Sequence, residues 1–315
     1  MPDLPDLANL DYVDRVNRAI DHVTRNLSEP LLLDDVAQVA CFSPYHFHRI
    51  FRALTGETLA AFTRRVRLER ALYLLSHTPR TSLTDIALRC GFGSSSNFSR
   101  TFRAVYGVAP RRFDLARHRD EGRAALQAAV PGPAGASLAR LPPGHNPDGF
   151  DVTLRALPAR RVAYVRVMRA YGHGVLDAID RLRAWARPRG LEGGQWLGYQ
   201  WDDPELVPIE RCRYDAGLEL PPGFDGGGEG GEVSITNFPA MTVAALDVRG
   251  PIDLELRALD WLFATWLPRS GHAPAHQPCF EAWHGAPFAH GTSHFELTLQ
   301  LPVEVIGRPD RDPPW

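Results

Sequence analysis

Arg49 and Arg100 stand at matching places in two similar segments of the chain. Phe47, Arg49, Phe51, Arg52, Gly56 and Phe62 recur 51 residues later as Phe98, Arg100, Phe102, Arg103, Gly107 and Phe113. A guanidinium can donate two parallel hydrogen bonds to O6 and N7 of a guanine, so two such arginines can read bases at two places. Asn97 can pair with adenine in the same manner, and the hydroxyls of Ser95, Ser96 and Ser99 can serve as donor or acceptor. Arg52, Arg103, Arg111 and Arg112 suit phosphate oxygens, where they add affinity without sequence information. Each arginine could instead merely solvate a helix face. Repetition at matched positions favours base reading for Arg49 and Arg100, while the four phenylalanines read as core.

A second chemistry lies near the other end. Strand alternation puts Glu281 and Trp283 on one face and Phe280 and Ala282 on the other. A carboxylate beside aromatic faces can hold a desolvated cation, each ring adding about 0.5–2 kcal/mol. Trp185, Trp261 and Trp266 follow helical spacing and read as core. His272, His276, His284, His290 and His294 crowd one stretch, but Pro274, Pro278 and Pro287 exclude the helix that would align them on zinc. No metal site and no cofactor is expected. The run Gly226 to Gly231 lacks the Lys-Ser/Thr of a phosphate-binding loop and reads as a hairpin loop.

The elements that carry the first group are helices. Tyr12, Val16, Ile20, Val23 and Leu27 recur at steps of three and four, predicting an amphipathic helix over 11–26 that Pro30 closes off. A short helix from Leu33 to Ala40, a turn at Cys41-Phe42-Ser43, and a helix opened by Ser43-Pro44 and stopped by Gly56 make a helix-turn-helix. Asp35, Val36, Ala37 and Phe42 recur as Asp85, Ile86, Ala87 and Phe92, so the unit occurs twice, with one extra residue in the second turn. The spacer from Leu59 to Ser76 is free of Gly and Pro and, as a helix, about 27 Å long, near the roughly 34 Å between successive major grooves. One chain can thus fill two adjacent grooves.

The second group sits on strands. Pro131-Gly132-Pro133 and Pro142-Pro143-Gly144 mark a linker. Beyond Asp151 the period becomes two, in Val152 and Leu154, in Ala163, Val165 and Val167, in Cys212 to Leu218 and in Phe295 to Leu301, predicting half-buried strands. Helices are predicted at about 174–187 and 252–267. Pro158-Ala159, Ala163, Trp185 and Gly190 recur at an offset of 81 as Pro239-Ala240, Ala244, Trp266 and Gly271. Two similar lobes with a site at their seam follow.

Composition agrees with this division. The 315 residues carry a formal charge of −2, but residues 11–118 hold 16 arginines against 10 acids and residues 150–315 hold 16 against 22. All seven Trp lie beyond residue 184. A basic part without Trp suits a polyanion, and an acidic, Trp-rich part suits something aromatic or cationic. No apolar run reaches the length of a membrane helix, and the acidic start Met1 to Asp6 is unlike a secretory signal, so no membrane partner and a cytoplasmic location are expected. Cys41, Cys90, Cys212 and Cys279 are widely spaced and read as reduced and structural.

The stretch Asp85-Ile86-Ala87, Gly91 to Arg103 and Gly107 to Phe113 resembles the signature of the AraC/XylS family of transcription regulators over about residues 10–118. The resemblance implies that the third and sixth helices enter successive major grooves of double-stranded promoter DNA. It implies base-facing positions at Tyr45, His48 and Arg49 and at Ser95, Ser96, Asn97, Ser99 and Arg100, with RNA polymerase as a further partner. Leu157 to Tyr164, Ala170 to Gly172, Trp201 to Pro204, Cys212 to Gly217 and Phe280 to Trp283 resemble the GyrI-like effector-binding family over about 150–303. That resemblance implies a small, amphipathic or cationic organic effector held by Glu281 with Trp283, Trp201 and Tyr171. Trp283 stands where the family more often has Tyr.

The expected fold is multidomain, an all-α double helix-turn-helix domain followed by an α+β domain of two pseudo-symmetric strand-helix-strand lobes. The expected boundaries are 1–118 for the DNA reader, 119–149 for a linker, 150–308 for the effector domain and 309–315 for a tail. The expected function is a ligand-responsive transcription regulator without enzymatic activity. Two rivals are a hydrolase using Glu281 with Tyr171 or Tyr199 as base and acid, and a protein-interaction module.

Overall fold

The computed structural model describes residues 7–78, 81–129, 140–168, 174–225, 231–291 and 293–306. Helices come first: α1 (Leu7–Arg25), α2 (Leu33–Val39), α3 (Pro44–Thr55), α4 (Leu59–His77), α5 (Leu83–Arg89), α6 (Ser95–Tyr106) and α7 (Leu115–Ala129). Their starts are written in hydroxyls. Ser43, Thr58, Ser82 and Ser94 each accept a backbone N–H three residues on, and α3 and α6 end on left-handed Gly56 and Gly107.

Two cores result. Val16, Ile20, Val23, Phe47, Phe51 and Phe62 enclose the first helix-turn-helix, and Leu72, Ile86, Phe92, Phe98 and Phe102 the second. Helix α4 joins them, giving Phe62 and Val66 to one and Leu68, Leu72 and Leu74 to the other. The two turns solve one problem differently. Gly91 has a φ of +75°, and a Cβ there would collide with the Leu27 carbonyl and the Arg67 guanidinium. Cys41, the matching residue of the first turn, holds a φ of +54° despite its side chain.

The sheet unit follows: β1 (Thr153–Leu157), β2 (Arg160–Met168), α8 (Gly174–Ala186), β3 (Trp196–Gln200), β4 (Arg213–Glu219), β5 (Ser234–Phe238), β6 (Met241–Gly250), α9 (Ile252–Trp261), β7 (His272–Pro274), β8 (Cys279–Trp283) and β9 (Phe295–Val305). Strand order is β1-β6-β9-β8-β3-β4-β2-β5, with β7 beside β9. The repeat is visible in it, since β1 and β2 moved by 81 residues fall on β5 and β6. The two lobes share one continuous sheet. β1 pairs with β6 of the second lobe and β5 with β2 of the first, while β3 and β8 meet at the centre.

Helices α8 and α9 cover one face of the sheet, where Ala163, Val165, Leu182, Leu246, Ala258 and Leu297 share a core. The helical unit covers the other. This corrects the expectation of half-buried strands: in β4 the polar positions Arg213 and Asp215 are as buried as Tyr214 and Leu218, because helices take the place of water. β1 departs the opposite way, being an edge strand with Leu154 47% exposed. The stretch expected as linker from 119 is helical to Ala129, where Arg119 and Arg123 reach Glu205 and Asp260. Residues 140–149 are tied down by Arg140 to Asp120, Leu141 N–H to Asp260 and Gly144 N–H to Thr265.

Candidate DNA interface and effector pocket

On α3 and α6 the phenylalanines turn inward and the polar residues outward. Phe47, Phe51, Phe98 and Phe102 are 0% exposed. Tyr45, His48, Arg49, Arg52, Ser96, Asn97, Arg100, Arg103, Arg111 and Arg112 are exposed, and Ser95 and Ser99 half-buried. Among the described residues Arg49, Arg52, Arg100, Arg103, Arg111 and Arg112 have no ion-pair or hydrogen-bond partner, and Arg49 only lies 5.9 Å from the Tyr45 ring centroid. Asn97 keeps its amide nitrogen free while its oxygen accepts from the Thr101 hydroxyl at 3.3 Å. Ser94 fixes the start of α6 by accepting the Asn97 N–H at 3.1 Å. Buried arginines behave differently, Arg166 pairing with Asp21 and Asp215 and Arg213 with Asp202.

In the sheet unit, Glu281 and Trp283 do lie together under α9. Glu281 Oε2 accepts from the Tyr214 hydroxyl at 2.7 Å and Trp283 Nε1 at 3.0 Å, and Oε1 accepts from Gln200 Nε2 at 2.8 Å. Gln200 Nε2 also lies 3.3 Å from Oε1 of Glu255 on α9. Gly198 makes this possible, since a side chain there would collide with the Tyr214 hydroxyl and the Glu281 carboxylate. Burial pushes both Glu255 and Glu281 above the usual carboxylate range, and for Glu255 the neighbouring Glu281 adds to the rise.

Sequence reasoning missed Glu255, Gln200 and the role of Tyr214. Glu255 sits on the same helix as the apolar Leu256 and Leu259 and carries no periodic signal. Gln200 did carry one, lying 81 residues before Glu281, which is the offset of the repeat. Trp201 is not brought to Glu281. Alternation sends Leu197, Tyr199 and Trp201 to the opposite face, and Trp201 Nε1 donates to Asp215 at 2.6 Å beside Arg166 and Arg213. Tyr199 likewise faces away, stacked on Phe238, so the Glu281 and Tyr199 pair of the rival hydrolase reading is not formed. Tyr171 lies outside the described residues. Among the described residues no group of His, Cys, Asp and Glu could hold a metal ion, and no helix is long and apolar enough to cross a membrane.

A pair of helix-turn-helix units joined to a ligand-binding sheet is the plan of a regulator that reads DNA and carries an effector domain. Family comparison agrees with each part: residues 36–115 match a helix-turn-helix domain, and residues 150–304 match the GyrI-like small molecule binding domain. TetD of transposon Tn10 from Escherichia coli is 37% identical over 107 residues, 32% of this chain and 77% of TetD. The transcriptional activator RhaS of Enterobacter sp. is 37% identical over 103 residues, 33% of this chain and 37% of RhaS. A solved transcriptional regulator with an AraC-type DNA-binding domain, from Chromobacterium violaceum, is 33% identical with a TM-score of 0.29, covering 31% of this chain and 86% of that one. The chain belongs to the AraC-type helix-turn-helix family of transcriptional regulators, with a GyrI-like domain at its carboxy-terminal side.

Proposed function

We propose that this chain reads two successive major grooves of promoter DNA with α3 and α6, and that an amphipathic organic cation bound at Glu281 alters that reading. The observation that carries the first part is the pair Arg49 and Arg100, exposed and without partners on equivalent helix faces. Unpaired guanidiniums need only shed water and settle into one rotamer to reach guanine edges, whereas salt-bridged ones would first have to be freed. Tyr45, His48, Ser95, Ser96, Asn97 and Ser99 complete the base-facing surface, and Arg52, Arg103, Arg111 and Arg112 hold phosphates. The reader then comprises residues up to about 118 and the sensor those from about 150.

The effector site rests on the buried Glu255 and Glu281 pair with Tyr214 and Trp283 around it. Tyr171 belongs to the site through the family resemblance, whereas Trp201, on the other face against Arg166 and Asp215, is left out of it. The chain acts in the cytoplasm as a regulator rather than a catalyst, and RNA polymerase is the partner it meets at a promoter. The test is a gel-shift titration of promoter fragments at fixed salt with and without a hydrophobic cation such as tetraphenylphosphonium. Selective binding that the cation changes supports the proposal. Absence of preference over scrambled DNA removes the first part, and indifference to the cation removes the second.

A further inference from the structure

The helical unit and the sheet unit do not meet flush. Between α1, α4 and α7 on one side and α9 with the ends of β3 and β8 on the other lies a cavity of about 190 Å³. Leu27, Val66 and Tyr73 form its helical wall, and Trp201, Phe263 and Cys279 form the sheet wall. Tyr73 and Phe263 meet edge to face at its wall, with ring centroids 6.3 Å apart.

Five carboxylates also reach the cavity, and each is already answered. Glu69 is held by Arg65 at 3.0 Å, Asp202 by Arg213 at 2.7 Å, Glu205 by Arg119 and Arg123 at 2.5 Å, and Asp260 by Arg123 at 2.6 Å. Asp203 accepts the backbone N–H of Glu205 at 2.9 Å and lies 3.7 Å from His77. Arg70 is the exception. It lines the same cavity with no ion-pair or hydrogen-bond partner among the described residues, its guanidinium 5.1 Å from the Tyr73 ring centroid. Arg70 is half-buried, and desolvation draws its pKa down. His276, pushed down to about 4 by burial and by Arg70, is neutral and donates from Nε2 to the Thr24 carbonyl at 2.9 Å.

We propose that this cavity binds a small aromatic monocarboxylate, with the carboxylate on Arg70 and the ring among Tyr73, Trp201 and Phe263. A guanidinium matches a carboxylate with two parallel hydrogen bonds. A single unanswered cation fits one negative charge rather than the two of a phosphate ester. An apolar cavity of about 150 Å³ accepts benzene, so the volume here holds a ring with its carboxylate. This cavity borders the Glu281 site at Gln200 but prefers the opposite charge. Arg70 and Tyr73 sit on α4, the helix between the two readers, whereas Trp201 and Phe263 belong to the sheet unit. A ligand touching both stabilises the arrangement in which they are close, and so biases the spacing of the readers.

The experiment is isothermal calorimetry of the full chain with benzoate, and with benzamide and benzylamine as neutral and cationic analogues of the same shape. Benzoate is expected to saturate one site at millimolar or lower concentration, with benzamide and benzylamine at least tenfold weaker. Arg70→Gln is expected to weaken benzoate at least tenfold, and Cys279→Met, which fills the cavity from the opposite wall and leaves Arg70 intact, to do the same. Glu281→Gln is expected to leave benzoate binding unchanged. The proposal is overturned if benzoate gives no saturable heat at tens of millimolar, if benzamide binds as well, or if Glu281→Gln removes the binding while Cys279→Met does not. Should Arg70→Gln fail to fold, Cys279→Met and the analogue series decide alone.

Discussion

Asp21 on the first helix and Arg166 on the second strand form a buried ion pair 2.8 Å apart, although 145 residues separate them. The same aspartate accepts from the Tyr164 hydroxyl at 3.0 Å, and the same arginine is held by Asp215 at 2.7 Å. Asp215 in turn accepts from Trp201. A buried charge on the DNA-reading side is thus held by groups lying within the sheet.

Breaking that link should loosen the whole molecule. Asp21→Ala is expected to lower stability by about 3 kcal/mol, at the low end for a broken buried pair because Asp215 still holds Arg166. Urea unfolding checks it, and an unchanged midpoint would remove Asp21 from the account.

Reading and anchoring arginines should fail differently. Arg100→Ala is expected to weaken binding to a preferred site by about 1–3 kcal/mol while leaving scrambled DNA nearly unaffected. Arg103→Ala should weaken both alike and reduce the slope of log affinity against log salt by about one. Competition titrations at several salt concentrations separate the two.

The carboxyl pair gives stability and cation affinity a pH dependence of opposite sign. Burial raises Glu255 and Glu281, so above the ordinary carboxylate range the folded chain keeps a proton that the unfolded chain has lost. Stability contributed by the pair is therefore greatest at low pH and declines as pH rises towards the raised values. Glu255→Gln should stabilise the protein by about 1 kcal/mol or more at pH 8 and much less at pH 4, because an amide has no charge to bury. Affinity for a hydrophobic cation should rise over the same interval, since the cation needs the ionised form. Thermal melts and calorimetry at the two pH values test both halves.

The two turns invite a paired substitution. Gly91→Ala should cost about 1–3 kcal/mol, since the backbone is left-handed and a methyl group would meet the Leu27 carbonyl. Cys41→Gly, at the matching place, should stabilise by up to about 1 kcal/mol by relieving a positive φ. Chemical denaturation of the pair gives the comparison.

Much of this was legible in the chain before folding. The helix-turn-helix units announce themselves through Ser43, Ser94, Gly56 and Gly107, because caps are local signals that need no tertiary partner. Glu281 with Trp283 followed from alternation alone. What strand alternation could not disclose was the second cover on the sheet. Arg213 and Asp215 read as solvent-facing until α1 and α4 arrive from more than a hundred residues away. Glu255 was hidden for a related reason, since a helix pattern cannot say which acid points at which strand. Trp201 was assigned to the wrong face because a family motif was followed where the period of two pointed elsewhere.

The interchange of β1 and β5 between the halves of the sheet bears on how the protein could have arisen and on how it can be dissected. Neither half owns a complete set of strands, so trimming the gene to a single copy of the duplication would leave each product with a bare margin and a missing neighbour. Two such products could complete one another only by pairing, as an ancestral dimer would have done before its subunits were tethered into one polypeptide.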